Sequence, residues 1–326
     1  MPTATAPRTP EHTRALLMLV LANVFWGLSF PLMKAIGGIH LHLLPDSRTW
    51  FITACTLFPR YTLGALILAA LCFPALKTVT RLELKQGLGL GLFAIGGMTF
   101  QADGLQFTSA STSAFLTQLY AIMIPAWLAL RARRRPSPIV WTCSLLVLAG
   151  VATLAQLDWR DLHLGRGELE TLIGSVFFMG QILWLDRREF SSTRVLPVTT
   201  VMLAVEAVAA LTLAAFTAPD FSTVLVPWTS GSWLFFTILL TVFSTLGAFI
   251  IMNTYQPKIS ATEAGLIYCV EPIFASLLAL FLPAWFSALG GFNYPNEVAT
   301  THLLLGGTLI TAANLLLQLR PPTKSP

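Results

Sequence analysis

Apolar residues in this 326-residue chain gather in runs of about 20, separated by short polar stretches. A run of that length crosses about 30 Å of hydrocarbon as an α-helix. Ten such runs can be placed, over 15–36, 50–73, 86–107, 109–130, 139–157, 168–186, 196–217, 231–255, 260–283 and 300–319. The pattern predicts an all-α integral membrane protein of ten transmembrane helices, with no polar stretch long enough for a separate soluble domain. Almost no polar loop joins the third run to the fourth or the eighth to the ninth. Were either pair a single broken helix, the count would drop and every later crossing would invert. Arg8, His12 and Arg14 precede the first run as in a signal peptide, but the run continues through Lys34 without a small-residue cleavage site, so it reads as a retained first helix.

The runs also repeat. Ser109–Leu116, SASTSAFL, aligns with Ser260–Ile267, SATEAGLI, at an offset of 151, which carries the third run onto the eighth and the second close to the seventh. This predicts two five-helix units, residues 15–157 and 168–319. Because five is odd, the second copy enters the membrane from the opposite side, which makes the pair inverted repeats. Two inverted halves can exchange conformations so that one central site opens first to one side and then to the other. A duplicated bundle that transports nothing is the bland alternative.

Composition agrees with lipid as the solvent: 55% of residues are hydrophobic and 11% charged, against roughly a quarter charged in soluble domains. The net charge of +5 is scattered in short clusters between apolar runs rather than along one stripe, which excludes a nucleic-acid footprint and reads as topology. With the amino terminus inside, fifteen of the 20 Lys and Arg fall in inner segments: Arg8, Arg14, Lys77, Arg81, Lys85, Arg131, Arg133, Arg134, Arg135, Arg187, Arg188, Arg194, Lys258, Arg320 and Lys324. Only Arg48, Arg160 and Arg166 fall outside. Positive charge is retained on the cytoplasmic side, so both termini are expected there, in a bacterial inner membrane. Trp50, Trp141, Trp159, Trp184, Trp228 and Trp285 near predicted helix ends suit the headgroup layer.

Cys55, Cys72, Cys143 and Cys269 show no CxxC or Cys/His spacing and are expected to be packing or lipid-facing residues, with no metal site and no cofactor. The run Gly87–Gly97, GLGLGLFAIGG, lies inside an apolar span and is not a nucleotide loop; its Gly87/Gly91 pair predicts close helix contact. A Walker lysine, HExxH and GxSxG are all missing, so neither ATP-driven pumping nor intramembrane hydrolysis has its parts, and no residue is assigned a catalytic role.

Charge at mid-membrane is costly, about 3 kcal/mol on insertion scales, and demands a partner or a wet cavity. Glu271 sits inside the ninth run before Pro272, which cannot donate its amide and weakens the helix there. This carboxylate can bind a proton or a substrate amine, or can instead be a permanent structural partner. Arg60, after Pro59, can pair with a carboxylate or attract an anion, although snorkelling to the headgroups or a structural ion pair is the favoured reading. Lys34 reads as interfacial, and the facing of Glu206 is not fixed by sequence. Gln101, Asp103, Gln106, Thr117, Gln118 and Tyr120, with Gln181, Asn253, Tyr255 and Tyr268, supply amides, phenols and other polar groups that can orient a solute, and Trp26 and Phe30 can wall it. Interhelical hydrogen bonding is the alternative for each.

The pieces NVFWGLSFPLMK in the first run, Arg60, GLQFTSASTSAFLTQLYAIMIP entering the fourth, RRRPSP after it and ISATEAGLIYCVEPIFASLLAL in the ninth together resemble the EamA-type branch of the drug/metabolite transporter superfamily. The resemblance covers residues 15 to 319, and Glu271-Pro272 is its most specific piece. It implies a ten-helix fold of inverted repeats, with a central cavity lined mainly by the first, third, fourth, sixth, eighth and ninth helices. It also implies export of amino acids or related metabolites, with the fifth and tenth helices peripheral. Arg131–Pro136 and Pro283–Ser287 depart from the acidic positions often found in relatives. The expected partners are the bilayer and a small solute, the oligomeric state being open. The competing functions are a non-transporting sensor or assembly partner and an intramembrane enzyme on a lipid, for which His302 and Glu206 are too isolated.

Overall fold

The computed structural model describes residues 10–133, 138–154 and 164–318, and every described element is helical. The first half contains α1 (Pro10–Leu43), α2 (Thr49–Leu71), the short α3 (Phe73–Leu76), α4 (Arg81–Gly104), α5 (Ala110–Thr117), α6 (Tyr120–Arg131) and α7 (Pro138–Leu154). The second contains α8 (Arg166–Leu185), α9 (Val195–Thr217), α10 (Phe221–Leu225), α11 (Gly231–Leu239), α12 (Ala248–Tyr255), α13 (Ala261–Tyr268), α14 (Glu271–Ala279), α15 (Leu282–Gly290) and α16 (Thr301–Gln318). A π-helical segment, Leu240–Gly247, joins α11 to α12 without a turn.

Local chemistry starts several of these helices. Thr80 accepts the Glu83 amide at 3.2 Å while the Glu83 carboxylate accepts the Thr80 amide at 2.8 Å, a reciprocal capping box at the head of α4. Ser109, Ser230 and Ser260 accept amides three residues on, from Thr112, Trp233 and Glu263, at the heads of α5, α11 and α13.

By length and apolar composition, six stretches are able to cross a membrane: Pro10–Leu43, Thr49–Leu71, Ala110–Arg131, Arg166–Leu185, Val195–Thr217 and Gly231–Lys258. The pair α14 and α15, bent by 55°, makes a seventh if taken as one span. The remaining predicted runs differ from simple spans. The run 86–107 is α4, whose ends carry Glu83, Lys85 and Asp103, while 139–157 and 300–319 are α7 and α16, short helices of 17 and 18 residues. The run 260–283 is broken between Tyr268 and Glu271.

Helix α1 threads the centre, packed against α12, α14 and the π segment, while α2 lies along α9, α4 along α8 and α9, and α7 along α16. The Gly87/Gly91 pair makes the α4–α9 approach possible: a Cβ at either glycine would stand 2.7 Å from the Cβ of Val201 or Val205. Buried Phe30, Tyr61, Trp233, Phe236 and Tyr268 belong to one continuous core. Leu71, Val208 and Phe216 point outward, Phe216 with 86% of its surface free, as a lipid-facing side chain would.

Polar residues collect at two rims. One joins Arg194 to Glu83 at 2.7 Å, Lys85 to Glu189 at 2.9 Å and Lys258 to Glu11 at 2.8 Å. The Lys85 ammonium, with Arg187 behind it, holds Glu189 below the usual carboxylate range. The other rim joins Arg166 to Asp103 and to Glu170, Thr108 to Glu168, and Glu297 to the amides of Ala110 and Ser111. Every base in the first set comes from a segment predicted inside, and Arg166 of the second from one predicted outside. Arg8, Arg134, Arg135, Pro136, Trp159, Arg160, Arg320 and Lys324 lie outside the described residues.

Candidate functional site

Two apolar stretches that could each have formed one long helix are interrupted in mid-course. Helix α5 ends at Thr117 and α6 begins at Tyr120; α13 ends at Tyr268 and α14 begins at Glu271. A separation of 151 residues relates the two ends and also the two starts. Broken helices release backbone groups and polar side chains into the membrane interior, which is tolerated only against protein or a cavity. Here the breaks face each other: the Gln118 amide donates to the Glu271 carboxylate at 3.4 Å. Pro272 sits at the second position of α14, where the missing amide hydrogen is least needed, so it fits the start of a new helix.

Between the breaks lies a cavity of about 60 Å³, lined among others by Trp26, Arg60, Gln101, Tyr120, Tyr268 and Glu271. Thr117, Gln181 and Ser29 add polar groups, while Met98, Phe178, Ile182, Phe249 and Met252 make up the apolar wall. Pockets for metabolites typically run from about 300 to 1,000 Å³, so the site is contracted in this conformation.

The lining is ordered by short contacts. Gln101 donates to Thr117 at 2.8 Å, and Thr117 donates to the Ser113 carbonyl at 2.9 Å. Tyr268 donates to Gln256 at 2.8 Å, and Gln256 is tied to the Ile182 carbonyl at 3.1 Å. Trp26 meets Phe249 and Tyr268 edge-on, with ring centres 5.9 and 5.3 Å apart. The Gln181 amide nitrogen and the Gln118 carbonyl oxygen are buried with no protein partner.

Arg60 turns inward instead of snorkelling and is 1% exposed. It donates to Thr245 at 2.6 Å and to the Ser244 carbonyl at 3.4 Å, both on the π segment, and contacts the Met33 sulfur at 3.6 Å. Those contacts replace the aqueous shell that sequence alone would have sent it to seek. Glu206 is fully buried and near enough to feel the charge of Arg60, yet neither of its oxygens is hydrogen-bonded and the two do not form an ion pair. Lys34 is held at the second rim, donating to the Thr108 carbonyl.

The structure thus brings Trp26, Gln101, Thr117, Tyr120, Gln181 and Tyr268 to one cavity together with Arg60 and Glu271. Phe30 is core, Gln118 stands behind Glu271, and Asn253 bonds Thr199 at 2.9 Å away from the lining. Asp103 and Gln106 belong to the rim, where Asp103 accepts from Thr53 at 3.1 Å and Gln106 donates to Thr53 at 3.0 Å. Ser29, Met98, Phe178, Ile182, Phe249 and Met252 carried no sequence signal beyond their place on the predicted lining helices. Among the described residues no three His, Cys, Asp or Glu converge as a metal would require.

Residues 13–156 match the EamA-like transporter family. The chain is 24% identical over 311 residues to a protein of Archaeoglobus fulgidus named "Uncharacterized transporter", covering 93% of this chain and 85% of that one. It is 25% identical over 308 residues to the "Uncharacterized inner membrane transporter YicL" of Salmonella typhimurium, covering 91% and 95% respectively. One solved crystal structure superposes on 94% of this chain and 97% of its own with a TM-score of 0.62 at 19% identity, a likeness of fold. The chain is a multi-pass membrane protein of transporter kind.

Proposed function

We propose that the chain is a secondary carrier of small organic solutes, an exporter of amino acids or related metabolites, and that it works by alternating access of two inverted five-helix halves, residues 15–157 and 168–319. The observation that carries this reading is the pair of breaks, at the same place in two segments 151 residues apart, facing each other across a cavity. The packing supports it as well. Exchanging the first five predicted helices for the last five turns α4 on α8 into the π segment and α12 on α1, turns α5 and α6 on α8 into α13 and α14 on α1, and leaves α2 on α9 and α7 on α16 unchanged.

Ten crossings follow if α4, α7, α16 and the broken stretch 261–279 each traverse the bilayer, which places both ends in the cytoplasm. The inner-membrane wording of the Salmonella relative's name supports that compartment. In the cavity, Glu271 takes the cationic end of a solute or a proton, Arg60 its anionic end, and Trp26 and Tyr268 its apolar body. No catalytic chemistry is assigned. The test is reconstitution into liposomes with a panel of labelled amino acids. Counterflow of at least one is expected, and none from folded protein overturns the reading.

A further inference from the structure

A second cavity, of about 190 Å³, sits one helical turn beyond the first. Helix α1 supplies Ser29 to the central cavity and Met33 and Lys34 to the outer one; α4 supplies Gln101 to the first and Leu105 and Gln106 to the second. Four or five residues of helix rise separate these pairs, about 6 to 8 Å. Met33 is the partition, because it lines the outer cavity while its sulfur rests on Arg60, which lines the central one.

The outer cavity is equipped with polar groups the fold itself does not use. Tyr294 is 8% exposed and its hydroxyl has no protein partner, and the buried side-chain oxygen of Gln106 has none either. Lys34 donates one of its three hydrogens to the Thr108 carbonyl, leaving two. Glu297 is near enough for its charge to be felt at Lys34, but its oxygens accept the Ala110 and Ser111 amides at 2.7 and 3.4 Å. Glu168 accepts from Thr108 at 2.7 Å. Phe292, stacked on Tyr294 with ring centres 6.1 Å apart, also lines it.

We infer that the outer cavity is a second binding site, for the carboxylate of a small organic acid. Lys34 and the Tyr294 hydroxyl donate to its oxygens, and Gln106 accepts from a neighbouring donor on the ligand. Placed above the Met33 partition, it holds a solute that has left Arg60 before it is released. That staging role rests on the carrier reading; the binding itself does not.

Binding is read without any transport assay. Leu41 lines this cavity and is 42% exposed, whereas all four native cysteines are buried. Leu41→Cys in the full-length chain is labelled in detergent with a fluorescent maleimide, with the unsubstituted chain as background. Benzoate slows labelling, and benzylamine, of the same shape and opposite charge, does not. In Lys34→Met/Leu41→Cys the benzoate concentration for half-protection rises about tenfold, the loss of one charge-assisted bond. Tyr294→Phe/Leu41→Cys raises it several-fold, and serves alone if the Lys34 variant does not elute as a folded monodisperse species. Absence of benzoate protection, equal protection by benzylamine, or protection unchanged by both substitutions overturns the site. A protected Leu41→Cys in a chain that shows no counterflow leaves the site standing and removes the staging role.

Discussion

The two broken stretches share one backbone plan and carry different chemistry. The first, Thr117 to Tyr120, offers hydroxyls and an amide; the second, Tyr268 to Pro272, offers a phenol, a carboxylate and a proline. The interruption of the helix is common to both stretches, while charge at the contact belongs to the second alone: Tyr120 stands 151 residues before Glu271, and Gln118 is the neutral group that donates to it. Interrupting a helix costs each half the same backbone hydrogen bonds, whereas one carboxylate is enough for a shared site and two in contact would repel.

The largest effect is expected from removing the charge. Glu271→Ala should reduce counterflow by about 10- to 100-fold with folding intact, matching about 1.5–3 kcal/mol for a hydrogen bond to a charged group; unchanged flux would remove the carboxylate from the site. Moving the charge sharpens the comparison further. Gln118→Glu puts two carboxylates together, so its flux should be lowest at high pH and recover as pH falls and one proton is shared. The exchange Gln118→Glu with Glu271→Gln should regain part of the wild-type rate if only the depth of the charge matters, measured in the same liposomes. Gln118→Ala should cost about 1 kcal/mol of stability and a few-fold in flux, because the Glu271 carboxylate loses its one described hydrogen-bond partner. Smallest of all is Pro272→Ala, expected within about 1 kcal/mol of wild type by thermal unfolding in detergent, since the first turn of α14 already lacks intrahelical acceptors for its amides.

Much of the fold was legible because hydrophobic length is a one-dimensional signal. The first run became α1, extended by the polar Pro10–Arg14 at one end and by Gly37–Leu43 at the other, and Gly87/Gly91 announced the close contact of α4 with α9 correctly. The weakening at Glu271-Pro272 was legible from the proline, but the first break was not: Thr117–Tyr120 contains no proline or glycine, and its turn is held by short-range backbone bonds and by the contact of Gln118 with Glu271. At the site, the six polar and aromatic residues that line the cavity sit on helices predicted to do so, but Asn253 is turned toward Thr199 by helical phase that a hydropathy pattern does not resolve. Arg60 was misread for a related reason. Whether a long cation snorkels depends on acceptors from a helix 185 positions away in the chain.

Counting between caps bears on the π segment. From Thr80 at the head of α4 to Ser230 at the head of α11 is 150 residues, yet from Ser109 to Ser260, at the caps of the next helices, it is 151. The later interval is thus one residue longer than the earlier one, and the wide turns of Leu240–Gly247 are where a helix can absorb a single surplus residue without rotating the turns downstream of it. The slack so created is where Thr245 and Ser244 reach Arg60. The extra width thus serves as the anchorage of a cation, and excising one residue there should restore regular winding while setting that guanidinium adrift.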